Sequence, residues 1–254
     1  MESLADISTV SWVVLILAAA FTGLAKTALP GLTTVSVALF AAVLPAREST
    51  AVLLLLLLLG DLMAVWIYVK TVDWRRLLKL VPWVLIGVVA GAAFLTWSDN
   101  KVMRVAIGII LLVLTSLTLL VMQRTSQQTL DRAFARPAAS GLYGTLGGFT
   151  TMAANSGGPV MALYFIASGF DVKRFLGTQA WFFFIVNVIK LPLSAGIGLI
   201  NEQTLKLDVL LAPVVIIAGL IGKKIVRHID QKLFNRIIIA LTIISSAYLL
   251  ITVN

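Results

Sequence analysis

The chain contains no cysteine in its 254 residues, which excludes a disulfide, a thiolate metal site and a sulfur nucleophile. It has one histidine, His228, which argues against a metal centre, and none of its segments reads as a cofactor site. No Lys or Arg precedes Lys26, and Glu2 and Asp6 stand where a signal peptide has its basic segment. The first apolar run is therefore read as part of the mature fold. There is no phosphate loop of the form GxxxxGK[ST], so ATP-driven transport by this chain is disfavoured. Charge is scarce as well: Asp, Glu, Lys and Arg make up 12% of the residues.

What is abundant is hydrocarbon. Hydrophobic residues are 60% of the chain and the mean hydropathy is +1.03, far from a soluble domain of this length. The apolar runs are continuous, as in Ala51 to Val69 with unbroken leucines from Leu53 to Leu59. A transmembrane barrel would show short alternating segments instead, so the expected class is an all-α, multi-pass membrane protein. The net charge of +9 is dispersed over short loops rather than gathered in one patch, and it is read as a signal of orientation, not of nucleic-acid binding.

The run from Val10 to Leu44 is broken at Lys26-Thr27-Ala28-Leu29-Pro30-Gly31. Unbroken, it would make a helix of about 50 Å, too long for a hydrocarbon core of about 30 Å, so it is expected to fold back as a hairpin, either re-entrant or as two short spans. Spans follow near Thr50 to Val69, Leu77 to Trp97 and Val102 to Met122. After a polar linker the plan recurs: a segment from Pro137 to Gly169 broken at Asn155-Ser156-Gly157-Gly158-Pro159, then spans near Phe175 to Ile200, Val209 to Val226 and Leu233 to Thr252. Leu80-Val81-Pro82, Gly91 and Asp99-Asn100-Lys101 align at one constant offset with Leu211-Ala212-Pro213, Gly222 and Asp230-Gln231-Lys232. The chain is accordingly read as one transmembrane domain, 1–254, made of repeat one (about 8–123), a cytoplasmic linker (124–136) and repeat two (about 137–254).

A hairpin adds an even number of crossings and three spans follow it, so the second half enters the membrane from the opposite side. The halves are expected to be two inverted-topology repeats, each a broken helical hairpin followed by three transmembrane helices. This scheme puts fourteen Lys and Arg residues on one face and four (Arg47, Lys101, Arg104, Lys206) on the face of both termini. By the positive-inside rule both termini then lie outside the cytoplasm, in a cytoplasmic (inner) membrane. Trp12, Trp74, Trp97 and Tyr248 lie near span ends and read as interfacial anchors.

Three ionisable residues remain at membrane depth: Lys26, Asp61 and Lys190. Each costs roughly 2.5 to 3.5 kcal/mol there unless paired or hydrated, which makes it a functional candidate. Asn187 lies one turn from Lys190 on the same helical face. The plainer readings are a structural ion pair for Asp61, a snorkelling Lys26, and glycines that only allow close helix packing, the last fitting Gly141, Gly144, Gly147 and Gly148. The sharper reading starts from non-helical backbone at membrane depth, which is tolerated only where protein or a watery cavity covers it. If Pro30 or Gly31 opens one helical limb and Asn155 or Ser156 caps the other, their free amides and positive dipole ends suit an anion. The candidate substrate site is thus Lys26, Thr27, Pro30, Gly31, Asn155, Ser156, Gly157, Gly158, Asn187 and Lys190, with Asp61 as a candidate for coupling.

The broken segment ending in Asn155-Ser156-Gly157-Gly158-Pro159, followed by Val172-Lys173 and Gly177-Thr178, resembles the sulfite exporter family TauE/SafE. So does the short polar loop before the next span, Val72-Asp73-Trp74-Arg75, with its counterpart Lys206-Leu207-Asp208. The resemblance implies export of sulfite or a related organosulfur anion by a secondary transporter that is not an enzyme. Its partners are a small anionic substrate and the bilayer. The alternative is a cation- or proton-coupled carrier of another small solute, with Asp61 as the ligand. An intramembrane enzyme is disfavoured because the one carboxylate at depth has no histidine to work with.

Overall fold

The structure is a computed structural model that describes residues 8–97, 100–196 and 200–251. Glu2, Asp6 and Asp99 lie outside the described residues, as do the side chains of Arg47, Trp97, Lys101, Arg104 and Tyr248. Among the described residues the chain is all-helical: α1 (Thr9–Thr27), α2 (Leu32–Val43), α3 (Ala46–Tyr68), α4 (Trp74–Trp97), α5 (Asn100–Arg124), α6 (Gln127–Phe134), α7 (Pro137–Ala154), α8 (Gly157–Ala167), α9 (Val172–Gly196), α10 (Glu202–Ile225) and α11 (Gln231–Ile251). Six of these, α1, α3, α4, α5, α9 and α10, are long and apolar enough to cross a membrane. The expected last span corresponds to α11, which is not among the six over its described residues.

Both expected breaks are present. The first separates α1 from α2, and the second separates α7 from α8. With 12 and 11 residues, α2 and α8 reach about 18 and 17 Å, just over half the hydrocarbon thickness. One detail corrects the sequence reading, and another adds to it. Within the polar linker, after α5 ends at Arg124, the helix α6 forms because Leu130 and Phe134, one turn apart, bury the same face. Lys206-Leu207-Asp208 is not a loop but lies in the first turns of α10, whose start is fixed by a capping box between Asn201 and Thr204.

The chain divides into two compact units, Met1–Lys70 with Gln179–Ile229, and Thr71–Thr178 with Asp230–Asn254. In the first unit α1 packs on α2, α3 and α10, and α10 also packs on α3. Its core joins Leu15, Ala18 and Ala19 of α1, Phe40 of α2, Val52, Leu53, Leu56 and Leu57 of α3, and Leu207, Leu211 and Val215 of α10. The leucine run of α3 is therefore mainly core. Lipid tails are as apolar as these side chains, so close packing and interhelical hydrogen bonds hold the helices together. The Thr22 and Ser36 hydroxyls meet at 2.6 Å, and Ser36 donates to the Ala18 carbonyl at 2.7 Å, tying α2 to α1. The Tyr68 hydroxyl donates to the Thr27 carbonyl at 2.7 Å, tying the end of α3 to the end of α1.

In the second unit α4 lies along α7, α5 along α11, and α8 touches α5, α6, α7 and α11. All eleven residues of α8 are buried. Tyr143 of α7 shares a hydrogen bond with Thr118 at 2.6 Å, and Tyr164 of α8 does so with Ser140 at 3.1 Å. At one end of this unit Arg76 donates to the Phe134 carbonyl at 3.0 Å and to the Ser168 hydroxyl at 3.1 Å, a cation at the C-terminal ends of α6 and α8. Beside it Asp73 pairs with Arg174, and Arg174 lies over the Phe170 ring at 4.4 Å.

Helices of both sequence halves enter each unit. The broken helix of one half lies against the proline-containing helix of the other: α1 on α10, which holds Pro213, and α7 on α4, which holds Pro82. Glycine makes both contacts possible. A Cβ on Gly23 would collide with the Val215 carbonyl, and one on Gly148 with the Val84 carbonyl. Val84 and Val215 correspond under the alignment that matches Pro82 with Pro213.

Two predictions follow from this packing. Gly23→Val forces α1 off α10 and should lower stability by about 1–3 kcal/mol, the usual range for overpacking. Gly196→Ala, where an added Cβ meets nothing within 4 Å, should leave stability unchanged. Thermal melts of the detergent-solubilised variants check both. Asp73 gives a pH dependence. Partial burial pushes its carboxyl up, but the Arg76 amide and the Arg174 side chain outweigh this and hold it below the usual carboxylate range. Its contribution is thus fully present above a pH of about 4, the unfolded carboxyl value, and lost as the pH falls through the lower folded value. Wild-type stability should fall more steeply in that acid range than that of Asp73→Asn, read from melts across pH.

Candidate functional site

The first unit gathers four of the expected residues at one place. The Lys26 ammonium sits 2.7 Å from Asp61 Oδ1, and the Asn187 side-chain amide donates to Asp61 Oδ2 at 2.7 Å. Lys190 lies within electrostatic range of both Lys26 and Asp61. All four are buried: Asp61 is 0% exposed, Asn187 1%, Lys190 4% and Lys26 8%. Lys26 is therefore a paired interior residue and does not snorkel. The four side chains come from three helices. Lys26 is at the end of α1, where the chain leaves the helix, Asp61 is in the membrane-crossing part of α3, and Asn187 and Lys190 are on α9. The first two belong to one half of the sequence and the last two to the other.

Local sequence explains the placement. Gly60 directly precedes Asp61, and a Cβ there would approach Lys26 Cγ to 2.8 Å, so the glycine makes room for the lysine stem. Phe183 carries the Lys26 ammonium 4.7 Å above its ring centroid. A cation over an aromatic face is stabilised most where water is excluded. Phe183, Asn187 and Lys190 follow one another at spacings of four and three, so one face of α9 presents an aromatic ring, an amide and an ammonium in turn. Gly60 and Phe183 are the residues the sequence reading passed over. The visible signals were a glycine interrupting a leucine run before the acid, and the four-residue step from Phe183 to Asn187.

The remaining expected residues divide by unit. Thr27 is fully buried, but its hydroxyl donates to the Gly23 carbonyl at 3.1 Å, and it packs against Gly219 and Gly222 of α10. Pro30 and Gly31 are buried in the turn, and Gly31 is the N-cap of α2. Two amides at the start of α2 are occupied by that turn: Leu32 donates to the Leu29 carbonyl at 2.9 Å and Thr33 to that of Pro30 at 3.2 Å. The α2 end is thus not the fully free set of amides that the sequence suggested.

Asn155, Ser156, Gly157 and Gly158 belong to the second unit. Asn155 ends α7 rather than capping α8. Its φ of 51° is left-handed, and its amide donates to the Thr151 carbonyl at 3.0 Å. Asparagine tolerates this conformation where most side chains do not. Ser156 occupies the N-cap of α8 but makes no side-chain capping bond, and Pro159 falls in the first turn as expected.

The cluster thus offers two ammonium groups, one carboxylate and one amide, on helices long and apolar enough to cross a membrane. Ammonium groups and a side-chain amide are donors of the kind an anion accepts from. A family model described as Sulfite exporter TauE/SafE matches residues 15–249. The chain belongs to the sulfite exporter TauE/SafE family. It is accordingly a multi-pass membrane protein of a transporter family, and the motif resemblance extends over nearly the whole chain. No curated protein and no solved structure gives a match.

The two roles open to Asn155 separate by substitution. Asn155→Gly keeps the left-handed turn and removes the amide, whereas Asn155→Val forbids the turn. If the residue serves the break, Asn155→Gly should melt within about 0.5 kcal/mol of wild type and Asn155→Val should lose about 1–3 kcal/mol. If its side chain contacts the transported anion as well, Asn155→Gly should keep its stability and lose flux.

Proposed function

We propose that this protein is a secondary transporter that carries a small sulfur oxyanion, sulfite or a related sulfonate, out of the cytoplasm through the Lys26, Asp61, Asn187 and Lys190 cluster. The observation that carries the reading is the burial of two lysines against a single carboxylate. Ammonium groups buried together in this way suit a substrate that brings negative charge. Export needs no ATP: an inside-negative potential favours an exiting anion by about 2.3 kcal/mol per charge per 100 mV. The family supports the sulfur chemistry, and the geometry supports a negative substrate.

In the same reading the halves form an inverted repeat with both termini outside the cytoplasm of an inner membrane. Two observations support it: the charge asymmetry, and the recurring pairs α1 with α10 and α7 with α4. The cluster draws on both halves, as a site between the repeats requires. The alternative, Asp61 as the ligand of a coupling cation, is disfavoured because Lys26 holds one of its oxygens and Asn187 the other.

Purified protein in liposomes should release labelled sulfite at a rate that rises when an inside-negative potential is applied. Lys190→Ala should reduce that flux at least tenfold at wild-type stability, while Lys190→Arg retains part of it. Unchanged flux in Lys190→Ala would remove the cluster from the transport path.

A further inference from the structure

The carboxylate of Asp61 is itself an oxyanion, and its two oxygens take the two donors that a bound sulfur oxyanion would be expected to use. Oδ1 is on the Lys26 ammonium at 2.7 Å and Oδ2 on the Asn187 amide at 2.7 Å. The helices pack so that this occupant fits. Gly60 clears space for the lysine stem, Phe183 backs the ammonium, and Asp61 is wholly buried. With the carboxylate seated, Lys26 is neutralised and the amide is engaged.

We infer that Asp61 is an internal counter-anion that holds the Lys26–Asn187 subsite closed, and that the transported oxyanion enters the subsite by displacing it. The inference rests on the transport reading above and adds how the site is regulated and which ligands it admits. A carboxylate carries one negative charge and two acceptor oxygens on one carbon. A sulfonate or hydrogen sulfite presents the same charge with oxygens on one sulfur, so the exchange leaves the charge at Lys26 unchanged. The site therefore suits small oxyanions that can chelate an ammonium and an amide together, and halides make a poor match for the two donors.

Displacement sets a penalty on affinity. The competent arrangement is the one with Asp61 unseated, and ligand affinity is reduced by the fraction of time it is populated. Removing the carboxylate while keeping its volume lifts that penalty. The probe is methanesulfonate, whose single charge does not change with pH in the working range. Asp61→Asn should bind methanesulfonate at least tenfold more tightly than wild type, read by calorimetry on purified protein in chloride-free buffer. In the Lys26→Gln background the same substitution should have little effect.

A purely structural ion pair would leave Asp61 where it is when ligand binds. Infrared difference spectra of wild-type protein labelled with carbon-13 aspartate separate the two, and they need no variant to fold. Displacement shifts a carboxylate stretching band on adding methanesulfonate. An unmoved carboxylate at saturating ligand overturns the inference, as does equal or weaker binding by a folded Asp61→Asn. If the wild type binds neither methanesulfonate nor sulfite, the transport-site reading itself fails. That outcome is distinct from binding that Asp61 does not oppose.

Discussion

The structure depends on one constraint: a charge placed among membrane-crossing helices has to be matched inside the protein. Lys26, Asp61 and Lys190 are the ionisable residues that the sequence sets at depth, and the fold brings all three to one place, from α1, α3 and α9. The desolvation of a buried pair can exceed its Coulombic gain, and removing one partner of such a pair typically costs about 3–5 kcal/mol because the other is left uncompensated. An ion pair of this kind is a weak device for stability alone. In the proposed transport reading it is part of a site whose charge has to be available to a ligand.

The cluster is possible because the helices around it approach closely. Glycine lets α1 settle onto α10 at Gly23 against a backbone carbonyl, and within the other unit it lets α7 settle onto α4 at Gly148 in the same way. In membranes, where no hydrophobic force presses helix against helix, such contact has to come from shape. The breaks follow from the same requirement. A chain that stops being helical within the hydrocarbon has backbone groups to satisfy, and here α8 is buried throughout, while the turn before α2 folds its own amides back onto the Leu29 and Pro30 carbonyls.

Much of this was legible in the sequence because it depends on local signals. Continuous apolar runs marked the helices, and Pro30-Gly31 and Asn155 to Pro159 marked the breaks, since proline, glycine and asparagine act on the backbone directly. The grouping of Asp61 with a lysine was legible from cost alone. Which lysine pairs with it was not, because that depends on how α1 and α9 meet α3. Gly60 and Phe183 were missed for the same reason: a glycine and an aromatic in apolar helices gain meaning only from what lies opposite. The burial of Asp208 was also hidden, since a polar sequence before a span reads as a loop until the capping box at Asn201 shows where α10 begins.

The most direct test of the central claim is to locate an anion in the protein. Selenite has the shape and charge of sulfite, and its selenium scatters anomalously, so crystals grown with it report the position of a bound oxyanion without reference to transport. The account predicts an anomalous peak within contact distance of Lys190, with Lys26 and Asn187 as further ligands. A peak elsewhere in the helices, with the Lys26, Asp61, Asn187 and Lys190 cluster unaltered, would contradict it.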